Sequence, residues 1–68
     1  MARPPAPPLP LNEKERGALE DIAASVSLPY RAVREAKGLL MAAGGVANST
    51  IATELGVSRS TVLQWRDH

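Results

Sequence analysis

The sequence predicts an all-α fold, a small helical domain of four helices with a tight turn between the last two. Three observations predict it. Apolar residues recur at three- and four-residue intervals, as in Leu19, Ile22, Ala23 and Val26, and again in Val33, Ala36, Leu40 and Ala43, with no alternating strand pattern. Cap residues precede such runs at Asn12, Asn48 and Ser58, and Gly44 and Gly56 stand where two of them stop. Hydrophobic residues make up 44% of the 68 positions with no Phe, one Trp and one Tyr, so the core must come from closely packed helices with Trp65 as its bulkiest piece.

The elements follow in order. Residues 1–10, "MARPPAPPLP", hold five of the chain's six prolines. Proline fixes φ and removes an amide donor, so an extended, disordered tail is expected there, with the domain itself spanning 11–68. The first helix is expected at about 12–26. Asn12 followed by Glu15 is a capping-box pair, and early acids suit the positive end of the helix dipole. Its inward face would be Leu19, Ile22, Ala23 and Val26.

The second helix is expected at about 29–43. Pro29 is tolerated in a first turn, and Gly44 is a good C-terminal cap. Val33, Ala36, Leu40 and Ala43 form its inward stripe, with Leu39 beside it. Arg31, Arg34 and Lys37 recur every three residues along another side, either as a solvated face with Glu35 or as contacts to phosphates. The third helix, about 49–55, would be capped by Asn48 and closed by Gly56, and the fourth, about 59–67, capped by Ser58.

The spacing of these last pieces carries the most information. Ile51 and Leu55 point the same way, and Ala52 is small where two helices would cross. Gly56 can take the left-handed conformation that reverses the chain, Val57 plugs the corner, and Val62 and Trp65 give the last helix a buried edge. Together these specify a helix-turn-helix, two helices at roughly 90–120°. An αα-corner without a ligand would show the same apolar positions.

The outward edge of the last helix separates the two. At about 100° per residue, Ser60, Leu63, Gln64 and Asp67 point away from the core, with Arg59 and Arg66 on one flank and Thr61 on the other. Hydroxyls, an amide and an exposed leucine between guanidinium groups suit a major groove. Gln64 can pair with adenine, Leu63 can meet a thymine methyl, and arginine can hold guanine or phosphate. Ser58 and the amides of the first turn can meet a phosphate, and Asn48 and Ser49 at the start of the preceding helix complete the expected DNA-binding set. Asp67 opposes binding unless it accepts from a cytosine amine or lies beyond the contact.

Charge and composition set the remaining bounds. Formal net charge is +1, but residues 1–27 carry three cations against four anions, whereas residues 28–68 carry five against three. A polyanion would meet the later part. With so few cations, a lone copy is expected to bind nonspecific DNA at roughly 10⁻⁴–10⁻⁶ M, and specificity would come from a homo-dimer or a second DNA-binding module. No cysteine is present, and the one histidine, His68, reads as a solvated end. No nucleophile–base pair, metal cluster or phosphate loop is visible. No catalytic residue, metal, cofactor or small-molecule substrate is therefore expected, and the chain is read as a non-enzyme. No apolar run approaches the ~20 residues that cross a bilayer, and no signal peptide is visible, so a cytoplasmic protein without a membrane partner is expected, associated with the bacterial nucleoid when bound to DNA.

The stretches "LNEKERGALEDIAAS", "SLPYRAVREAKGLLMAAGG" and above all "NSTIATELGVSRSTVLQWRD" resemble the N-terminal region of insertion-sequence transposases with homeodomain-like helix-turn-helix domains, of the Tc1/mariner-related DDE class. The resemblance covers residues 11 to the end. It implies a tri-helical homeodomain-like unit with an extra N-terminal helix, and a role in binding the element's terminal inverted repeats. It also implies a downstream RNase H-like domain with a metal-holding acidic triad. The acids of these 68 residues are too scattered to form such a triad, so the chain is expected to be an excised domain or a small free-standing protein. Two other readings stand beside this one. The first is a free-standing helix-turn-helix transcriptional regulator or phage-type DNA-binding protein. The second is a helical protein-interaction domain using Leu63 and the proline-rich tail.

Overall fold

The computed structural model describes residues 8–67. Residues 1–7 of the expected tail and His68 lie outside the described residues. Among the described residues four helices appear in the expected order: α1 (Glu13–Ala23), α2 (Tyr30–Ala43), α3 (Asn48–Leu55) and α4 (Arg59–Arg66).

α1 begins on the capping box that the sequence announces. The Glu15 amide donates to Asn12 Oδ1 at 2.7 Å, and the Asn12 amide donates back to Glu15 Oε1 at 3.2 Å. Two otherwise unpaired backbone donors are satisfied in this way. The helix ends three residues sooner than expected, at Ala23. The Ser25 hydroxyl accepts from the amides of Ser27 at 3.2 Å and Leu28 at 3.1 Å, giving the backbone a local alternative to another helical turn. Val26 is consequently not on an inward face; it is fully exposed. Leu19, Ile22 and Ala23 are half-buried, and among the described residues α1 meets α2 and no other helix.

α2 is the central helix and buries two sides. Val33 and Ala36 are buried as expected, with Leu40 and Ala43 half-buried along the same stripe. These residues stand about 140–220° round the helix from Gly38. They lie outside the core cluster formed with α3 and α4. The opposite side is made of Gly38 and Ala42, both buried. Gly44 ends the helix in a right-handed conformation, φ −81°, and the left-handed residue is the next one, Gly45, φ 85°.

The main core is small: Ala42, Ile51, Ala52 and Val62, surrounded by Leu9, Met41, Val46, Leu55, Val57 and Trp65. Ile51 and Ala42 have no exposed surface at all. Leu9 corrects the expectation of a disordered segment up to residue 10. Its amide donates to the Ala42 carbonyl at 3.0 Å, and its side chain packs against the core. The same carbonyl also accepts from the Gly45 amide at 3.1 Å, so the Leu9 amide occupies its second lone pair.

α3 differs from expectation at its start. Ala47, not Asn48, is the cap residue, with extended angles (φ −63°, ψ 145°), and Asn48 takes the first helical position. A side chain caps only from the residue just outside the helix, so Asn48 is one position too far in, and its Oδ1 is buried without a hydrogen-bond partner.

Candidate nucleic-acid interface

The turn between α3 and α4 is built as the sequence implies. Gly56 is left-handed, φ 67° and ψ 35°, and the Val57 amide reaches back to the Ala52 carbonyl at 3.0 Å. That backward bond is the mark of a Schellman closure, which leaves Val57 to pack against the core. Ser58 then starts α4. Its Oγ accepts from the Thr61 amide at 3.2 Å and pairs with Thr61 Oγ1 at 2.9 Å.

Rotation of α4 about its own axis is set by Trp65 and Gly38. A Cβ added to Gly38 would stand 2.5 Å from Trp65 Cζ3, 2.7 Å from Cε3 and 3.2 Å from Leu55 Cδ1. The indole therefore lies directly on the backbone of α2, which only a residue without a side chain permits. With Val62 buried and Trp65 seated there, Ser60, Leu63, Gln64 and Asp67 are all exposed, as expected. Leu63 leaves 47% of its surface in solvent. Arg59 is exposed on the first turn.

Other expected site residues are placed differently. Arg66 does not share an open flank with Arg59; it is half-buried, with Nη1 shut off from solvent. Only about 40° separates it from Val62 around the helix, which turns its stem inward. Ser58 and Thr61 pair their hydroxyls at 2.9 Å, so one of the two O–H groups is taken up by the pair and only the other can donate to a phosphate. Ser49 is exposed, while Asn48 is half-buried with its carbonyl oxygen enclosed. Arg31 and Lys37 are exposed, and Arg34 is half-buried with its guanidinium carbon 5.4 Å from the Tyr30 ring centroid.

Two residues that position the site escaped the reading of the sequence. Tyr30 stands four before Arg34, the spacing at which helical side chains meet. Gly38 had a signal of its own, since glycine in mid-helix costs ~1 kcal/mol relative to alanine and calls for a packing reason.

The geometry presents one polar, acid-poor helix edge at a fixed angle, and no group of three or more His, Cys, Asp or Glu able to hold a metal occurs among the described residues. A family model described as a homeodomain-like domain matches residues 29–68. The chain belongs to the homeodomain-like family. No curated protein and no solved structure matches the chain. The homeodomain-like part begins at the residue before α2 and takes in α2, α3 and α4, leaving α1 and the Leu9 strap as additions packed around α2 and the core. Membership of this family suggests DNA as the partner. No helix among the described residues is long and apolar enough to cross a membrane.

Proposed function

We propose that this homeodomain-like domain binds double-stranded DNA sequence-specifically, with α4 in the major groove. The observation that carries the reading is the exposed edge of α4. Ser60, Leu63 and Gln64 stand clear of the core while Val62 and Trp65 anchor the opposite side. Gln64 offers the paired donor and acceptor that match adenine, Leu63 offers methyl groups to thymine, and Arg59 enters with the N-terminal turn. α3 braces across the sugar-phosphate backbone, with Ser49 and the amides of its first turn toward a phosphate. Arg66 contributes less than Arg59, being half-buried.

The role within a parent protein is the binding of transposon ends by a transposase, supported by the resemblance of residues 11–68 to insertion-sequence transposases. A second copy or a second DNA-binding module would raise the specificity of so small a contact. The alternative, a free-standing regulator, predicts a different genomic setting for the same site. Selection of bound duplexes from a random pool tests both levels. Selected sites paired in inverted orientation at the two ends of a mobile element support the transposase; sites upstream of a gene overturn it.

On the selected duplex, Arg59→Ala and Gln64→Ala are each expected to weaken binding by roughly 1–3 kcal/mol, and Gln64→Ala to relax preference at one base pair. Helicity should stay unchanged. Unaltered affinity in both variants would remove α4 from base reading.

A further inference from the structure

We infer that the domain holds DNA with a second element: Arg31, Arg34 and Lys37 of α2 form a ridge that grips backbone phosphates beside the groove occupied by α4. The inference rests on the reading of α4 given above and extends the footprint beyond that helix.

Position is the first argument. Gly38 lies under Trp65, which belongs to the last turn of α4. Measured around α2 from Gly38, Arg31, Arg34 and Lys37 fall at about +20°, −40° and −100°, so all three occupy one sector of about 120°. Arg34 stands one turn and Arg31 two turns before the Trp65 seat. The sector therefore runs alongside the C-terminal end of α4, opposite the end that carries Arg59.

Availability is the second. Among the described residues, Arg31, Arg34 and Lys37 make no side-chain hydrogen bond and no ion pair. Arg31 and Glu35 are four apart, a spacing that commonly pairs, yet they do not pair here. The Arg34 guanidinium carbon lies over the Tyr30 ring, 5.4 Å from its centroid, which restricts its rotamers, and its Nε is buried without a hydrogen-bond partner. A planar donor fixed in this way suits a phosphate better than a free arginine does.

Charge segregation is the third. α1 carries four acids and two cations, whereas α2 carries three cations and one acid, and α4 two cations and none. α1 meets α2 but neither α3 nor α4, and the buried Val33 and Ala36, which stand outside the core cluster, mark a covered side of α2 turned away from the Trp65 seat. The acid-rich helix thus backs the ridge without covering it, and the resulting dipole orients the α4 side toward a polyanion.

The test is a salt titration of the 68-residue chain on the selected duplex and on a random-sequence duplex. Arg31→Gln/Arg34→Gln/Lys37→Gln should flatten the slope of log K against log salt by about 2.7, or 0.9 for each phosphate released. Between 50 and 200 mM salt the wild type should then lose about 40-fold more affinity than the variant. Both duplexes should be affected alike, leaving the preference for the selected one intact. The double variant Arg31→Gln/Lys37→Gln changes exposed residues only, and should flatten the slope by about 1.8 if the triple variant loses helicity. Lys14→Gln/Arg16→Gln on α1 serves as the control and should leave the slope nearly unchanged. An unaltered slope in the α2 variants, or equal flattening per charge in the α1 control, overturns the ridge. A flattened slope together with unaltered binding in both Arg59→Ala and Gln64→Ala keeps the ridge and removes the α4 reading instead.

Discussion

Gly38→Ala tests the seat that aims α4. In most helix interiors this change stabilises, because alanine is favoured over glycine by about 0.8–1.0 kcal/mol. Gly17, in α1, is such a site, since a Cβ there would meet nothing within 4 Å. At Gly38 the same atom would overlap two ring carbons of Trp65, at 2.5 and 2.7 Å, and press Leu55 at 3.2 Å. Overpacking of this kind costs about 1–3 kcal/mol, which outweighs the gain and leaves a net loss of about 0–2 kcal/mol. The two alanine variants should therefore differ by about 1–3 kcal/mol. For a domain this small each kcal/mol moves the melting midpoint by about 4–8 °C, so circular dichroism melts resolve the difference. If the indole swings aside to escape the overlap, α4 rotates with it, and binding to the selected duplex falls more than the melt does. A melting temperature raised as much by Gly38→Ala as by Gly17→Ala, with DNA binding intact, would refute the reasoning. Trp65 would then not rest on the backbone of α2.

Two further substitutions probe the turn and the strap. Gly56→Ala should cost about 1–2 kcal/mol of stability, the penalty of a left-handed conformation for a residue with a Cβ, and Gly56→Asn should recover much of that. Space is open around Gly56, so an equal loss in both variants by chemical denaturation would argue against a conformational cause. Leu9→Ala should cost about 1–2 kcal/mol, part of the full burial value of a leucine, because Leu9 is only half-buried against the core. An unchanged denaturation midpoint would make the strap irrelevant to the fold.

What the sequence announced, and what it hid, divides along a physical line. Local backbone chemistry was legible: the Asn12–Glu15 box, the Gly56 reversal and the Ser58 cap each depend on residues three or four apart, and each formed as read. The exposed edge of α4 was equally legible, because Val62 and Trp65 fix the inward direction once the helix exists. Contacts between distant segments were not. Nothing near Leu9 reveals that its amide meets the Ala42 carbonyl, and nothing near Gly38 reveals an indole. The second buried side of α2 was missed for the same reason, since glycine and alanine carry little hydrophobic signal even where they are fully enclosed. Val26 and Asn48 were misplaced by a different effect. In each case a serine turn or a one-residue shift of the cap moved a boundary, and side-chain direction changed with it.

Two constraints of different origin act on α4, and both are needed. The Gly56 turn sets the direction of the helix axis relative to α3, but a helix of fixed direction can still rotate about that axis. Rotation by one residue, about 100°, would carry Leu63 toward the core and lift Val62 out of it. The Trp65–Gly38 contact blocks this, since the indole fits only where α2 lacks a side chain. A two-helix motif by itself would therefore leave the face of α4 undetermined, and it is the third helix, α2, that chooses it. The family match, residues 29–68, takes in α2 together with α3 and α4. The helix that presents the Arg31, Arg34 and Lys37 ridge is the same one that locks the Ser60, Leu63 and Gln64 edge outward. On the proposed reading, a displacement of α2 would disturb base reading and phosphate grip together, whereas neutralising the ridge would disturb the grip alone.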